Sequence, residues 1–113
     1  MSNQRVKPSL PENATMVDYQ KYVHDLEAFH GWLDVDLVKN CFLMGEEMGE
    51  LFKAVRKHLK LFDEGAKDRP GDDVAEEIID VLNYLLAIAN RLNIDVEAAF
   101  RTKNEHNLTR TWN

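Results

Sequence analysis

Proline stands only at positions 8, 11 and 70, so residues 12–69 and 71–113 are free of the residue that most strongly breaks a helix. Within both stretches apolar residues recur every three or four positions, which is the period of a helix face and not the alternation of a strand. Tyr19, Tyr22, Val23, Leu26 and Phe29 make the first such face, beginning near Thr15 and stopping near Gly31. Behind Asp34 or Asp36 as N-cap, a second runs through Leu37, Val38, Cys41, Met44, Met48, Leu51, Phe52, Val55 and Leu59 to about Leu61. Arg56, Lys57, His58 and Lys60 near its end suit the negative pole of the helix dipole. A third starts behind Asp72 or Asp73 and carries Val74, Ile78, Val81, Leu82, Leu85, Ala89 and Leu92 to a stop at Asn93. Asp95 caps a fourth, which holds Val96, Ala99 and Phe100 and then turns polar. The expected class is all-α, most simply an antiparallel bundle of about four helices.

A length of 113 residues leaves room for one core, and the polar residues 1–14 read as an arm before a single domain spanning 15–113. Asp63–Asp73, with Gly65, Pro70 and Gly71, reads as the connector between the two proline-free stretches. Fourteen basic against twenty acidic side chains give a net charge of −6, which argues against a nucleic-acid groove or an anionic membrane as the main partner. An acidic chain that handles phosphates needs a cation to do so. The single cysteine, Cys41, cannot form an internal disulfide, and Met1 to Leu10 lacks the apolar run of a signal peptide, so the cytoplasm is the expected location. A domain this small also gains from burying surface against a second copy of itself.

Carboxylates are where the chemistry concentrates. Glu46-Glu47-Met48-Gly49-Glu50 lies in the second helix and Glu76-Glu77-Ile78-Ile79-Asp80 in the third. The pairs Glu47/Glu50 and Glu77/Asp80 are each three apart, hence about 60° apart around a helix and near enough to act on one ion. If the two helices are antiparallel neighbours, the two pairs can face each other as a four-carboxylate site. A cluster of acids is more often a solvated face, but apolar neighbours on both helices imply partial enclosure. Sheltered like charges are costly without a cation, and an all-oxygen set suits Mg²⁺ or Mn²⁺ rather than Zn²⁺. Gly49, which costs a helix about 1 kcal/mol relative to Ala, hints at a close approach there. No glycine-rich phosphate loop is present. Lys103, Asn107 and Arg110, at offsets 0, 4 and 7, share a helical face and can present two cations and an amide to a polyphosphate.

Glu-Glu-x-x-Glu at 46–50, Glu-x-x-Asp at 77–80 and Lys-x3-Asn-x2-Arg at 103–110, in that order, resemble the MazG-like all-α nucleoside triphosphate pyrophosphohydrolases, nearest their dCTP pyrophosphatase-like branch. The resemblance implies hydrolysis of a (deoxy)nucleoside triphosphate between the α and β phosphates, with Mg²⁺ held by Glu47, Glu50, Glu77 and Asp80. It further implies that Glu50 activates water, that Glu46 assists, and that Lys103, Asn107 and Arg110 hold the phosphates. Tyr84 matches a base-stacking aromatic of that branch, Asn83 stands beside it, and His30 and Trp32 are candidates to close a nucleoside pocket. The resemblance also implies a homodimer or homotetramer whose second subunit completes the bundle.

Three other readings stand beside this one. Phosphoribosyl-ATP pyrophosphohydrolases use similar acidic pairs on the same bundle. A carboxylate-bridged di-iron protein wants two Glu-x-x-His motifs, and only Glu27-x-x-His30 is present. A non-catalytic dimerisation module would carry the acids as surface charge alone.

Overall fold

The structure, a computed structural model, describes residues 5–60 and 72–111. They form four helices, α1 (Met16–His30), α2 (Leu37–His58), α3 (Asp72–Arg91) and α4 (Val96–Thr109), and no strand among the described residues. The expected all-α class holds. The second helix ends at His58 rather than Leu61, while most of the Asp63–Asp73 connector and Trp112 lie outside the described residues.

The starts of α1, α2 and α4 have local causes. Asp36 accepts from the Val38 backbone N–H at 2.7 Å and Asp95 from that of Ala98 at 3.1 Å, while the Thr15 backbone N–H donates to Asp18 Oδ2 at 2.8 Å. Side-chain caps of this kind stabilise a helix by about 1 kcal/mol each. At the other ends the chain turns into the left-handed region at Gly31 (φ 76°), Lys60 (φ 57°) and Asn93 (φ 56°). Two of these turns close with the same pair of backbone bonds. Gly31 N–H donates to Ala28 and Trp32 N–H to Glu27 after α1, and Asn93 N–H to Asn90 and Ile94 N–H to Ala89 after α3. Asn and Gly tolerate this conformation; a lysine does not do so without strain.

The chain divides into two compact units, Met1–Asp34 with Leu86–Asn113, and Val35–Leu85. In the first, α1 packs on α4, and Val23, Leu86 and Ala87 form a small core joined by Met16 and Val96. A buried polar network joins the same elements. Gln20 Nε2 donates to Asn90 Oδ1 at 3.0 Å and to the Ile94 carbonyl at 2.8 Å. Its Oε1 accepts from Val96 N–H at 3.0 Å, and its backbone carbonyl accepts from Asn90 Nδ2 at 2.8 Å. One glutamine thus satisfies the first helical N–H of α4 while holding the end of α3. Glu27, also buried, pairs with Arg91 at 2.9 Å, and Arg91 donates to the Trp32 carbonyl at 3.1 Å. Arg5 Nη1 donates to the Phe29 carbonyl at 2.9 Å, which fastens the N-terminal arm to the end of α1.

The second unit consists of α2 and the first part of α3. Leu51, Phe52 and Val55 line one apolar groove with Val74 and Ile78, while Glu47 lies against Glu77 and Asp80. Later residues of α2 therefore meet earlier residues of α3, and the two run antiparallel. Asn40, Glu47 and Ala54, seven apart, mark the inward face of α2; Asn40 and Ala54 are buried and Glu47 half-buried. Val38, Phe42, Phe52 and Leu59 fall within about 100° of one another on the opposite side and are exposed, Phe42 by 73% and Phe52 by 65%. Gly45 and Gly49 lie on that same exposed side.

Candidate metal centre

Three carboxylates meet across the two helices of this unit. One oxygen each from Glu47, Glu77 and Asp80 lies within 4.8 Å of the others. The seven-residue face of α2 turns Glu47 inward, and the i,i+3 spacing on α3 brings Glu77 and Asp80 to the same side. Glu77 is held above the ordinary glutamate range, first by its partial burial, then by its hydrogen bond with Glu47 and by the charges of Glu47, Asp80 and Glu50. Its Oε2 is buried with no hydrogen-bond partner among the described residues. A half-buried carboxylate crowded by three others and carrying an orphaned oxygen fits a hard divalent cation.

The enclosure expected for the acids is found for Glu47 and Glu77 only; Glu46, Glu50 and Asp80 are exposed. Glu50 is outside the tight cluster, although its charge is felt at Glu77. The close approach expected at Gly49 is absent among the described residues, since a Cβ there meets no atom of theirs within 4 Å. Tyr84 and Asn83 are half-buried on α3, Tyr84 on the same helical side as Glu77 and Asp80.

The remaining candidates belong to the first unit. Lys103 and Arg110 are exposed and Asn107 is half-buried, with Asn107 Nδ2 donating to Asn104 at 3.3 Å. Arg110 is the C-cap of α4, where the backbone has become extended. His30 stacks on Trp32 with ring centres 4.3 Å apart and meets Phe29 edge-on at 5.1 Å. In Glu27-x-x-His30, Glu27 is engaged by Arg91 and His30 by aromatic rings. Asn40 belongs to no motif and is absent from the sequence candidates; its only signal there is the spacing of seven from Glu47.

An all-α chain that gathers carboxylates from two antiparallel helices presents an all-oxygen donor set of the kind a hard divalent cation takes. The profile of phosphoribosyl-ATP pyrophosphohydrolases matches residues 24–107, and the chain belongs to that family. It is thereby a pyrophosphohydrolase of the MazG-like all-α superfamily, and the resemblance drawn from the motifs holds at that level. No curated protein and no solved structure matches it. No helix among the described residues is long and apolar enough to cross a membrane.

Proposed function

We propose that the protein hydrolyses a nucleoside triphosphate, ribo or deoxy, between its α and β phosphates, giving the monophosphate and pyrophosphate. The observation that carries this reading is the meeting of Glu47, Glu77 and Asp80 within 4.8 Å, with Glu77 forced above its ordinary range. These three, with Glu50 at the edge of the cluster, are the ligands proposed for Mg²⁺ or Mn²⁺. A cation held by these residues would supply positive charge against the phosphate oxygens and would lower the pKa of the attacking water. Glu50, exposed and one turn beyond Glu47, takes the proton as the water oxygen bonds to the α phosphorus, and Glu46 helps to orient that water. The bond to the bridging oxygen breaks and pyrophosphate leaves. Lys103, Asn107 and Arg110 are proposed to hold the phosphates, where two cations offset the charge of the leaving group. Tyr84, Asn83, His30 and Trp32 are proposed for the nucleoside end.

A second substrate reading, phosphoribosyl-ATP, is favoured by the family match over residues 24–107. The bond broken is the same, and only the group attached to the nucleotide differs. Hydrolysis in ¹⁸O-labelled water tests the chemistry: monophosphate and pyrophosphate in equal amounts are expected, with Glu50→Gln inactive. Release of orthophosphate instead would place the cut elsewhere and defeat the proposal.

The proposed partner is a second copy of the chain. The support is the exposed stripe Val38, Phe42, Phe52 and Leu59, with Gly45 and Gly49 open between the two phenylalanines so that another helix can come close. A dimer or tetramer buries this face. A cytoplasmic setting fits a soluble nucleotide substrate and belongs to the same proposal.

A further inference from the structure

Asn40 is 4% exposed, and its Nδ2 has no hydrogen-bond partner among the described residues. An amide donor buried without an acceptor is a net penalty to folding, and an acceptor arriving with a ligand would remove that penalty. Its place on α2 identifies that acceptor. Asn40 lies seven residues before Glu47, on the same helical face and about 10 Å along the axis. On α3, Tyr84 lies seven residues after Glu77 and on the same face. Because the helices are antiparallel with Glu47 against Glu77, the same two turns carry both residues away from the acids in one direction. An amide donor and an aromatic ring are thus brought level, one on each helix, about 10 Å from the carboxylates. A group extending that far from a cation-bound α phosphate is the heterocyclic base.

We propose that Asn40 is a specificity residue whose Nδ2–H donates to an acceptor atom on the substrate base, an inference that rests on the nucleotide reading above. Its contribution is confined to ligands that carry a base. Phosphates alone, held at the carboxylate end, do not reach it.

The test measures dissociation constants, with Mg²⁺ present, for inorganic triphosphate and for α,β-imido nucleoside triphosphates of each base in ribo and deoxy form. Wild type is compared with Asn40→Leu and with Asn40→Asp, which keeps the amide's size but removes the donor. Both variants are expected to weaken the best nucleotide analogue by about tenfold to a hundredfold, to leave inorganic triphosphate unchanged, and, for Asn40→Leu, to leave the melting temperature of the ligand-free protein at or above wild type. Equal loss for triphosphate and nucleotide, or nucleotide binding that matches wild type, overturns the inference while leaving the pyrophosphohydrolase reading intact. Should Asn40→Leu fail to fold, the amide is structural unless Asn40→Asp folds and loses base-bearing ligands alone. A wild-type protein that binds no nucleotide analogue overturns both readings.

Discussion

Glu77 is the residue on which folding and chemistry conflict most openly. Its carboxyl titrates above the ordinary 4.5 because burial and three neighbouring acids disfavour its charge. The folded, metal-free protein therefore binds this proton more tightly than the unfolded chain does. The stability it confers is complete below pH 4.5 and is lost as pH rises through the higher folded value. Metal-free wild type is accordingly expected to lose melting temperature across that window while Glu77→Gln does not, so that the variant is the more stable above it. Affinity for Mg²⁺ should climb through the same window, because the ion takes the deprotonated carboxylates. Parallel thermal titrations of the two proteins check the first expectation, and coincident curves would show that the crowding is relieved some other way. Glu47→Gln and Asp80→Asn should abolish activity with the helical content unchanged, as circular dichroism can report; joint loss of folding would make the acids structural.

At the scale of elements, helix starts and stops were legible in the chain because they are set by neighbours a few residues away. Asp36 and Asp95 cap as their side-chain chemistry dictates, and Gly31 and Asn93 end helices because they tolerate a positive φ. Lys60 was not legible as a stop, since nothing in a lysine favours φ 57°. Replacing it by glycine should stabilise the protein by about 0.5–1 kcal/mol in denaturant melts. The Gln20 network escaped sequence reading for another reason: its partners Asn90, Ile94 and Val96 are 70 to 76 residues away. Gln20→Leu strips a partner from the Val96 N–H, the Ile94 carbonyl and Asn90 together, and should cost about 2–4 kcal/mol. The acidic pairs were legible as pairs because i,i+3 spacing fixes a helix face. Which of the four acids meet was not legible, because that depends on the register of α2 against α3, and it is this register that joins Glu47, Glu77 and Asp80 and leaves Glu50 at the edge.

For the whole molecule, the stripe of α2 that exposes Phe42 and Phe52 is unfinished in water. Light scattering of the pure protein should therefore report a dimer or tetramer, and the double substitution Phe42→Lys with Phe52→Lys should yield monomers. A wild-type monomer at high concentration would remove the second copy from the proposal. Assembly and chemistry then answer to separate measurements, and the chemistry is the more basic of the two. The measurement that reaches it most directly supplies Mg²⁺ with each ribo- and deoxynucleoside triphosphate and with phosphoribosyl-ATP, and quantifies pyrophosphate from wild type and Asp80→Asn. The expected result is pyrophosphate equal to the monophosphate product for at least one substrate, abolished when Mg²⁺ is chelated and absent in the variant. Undiminished release by Asp80→Asn, or release that persists without a divalent cation, would contradict the assignment of the carboxylate cluster as the catalytic centre.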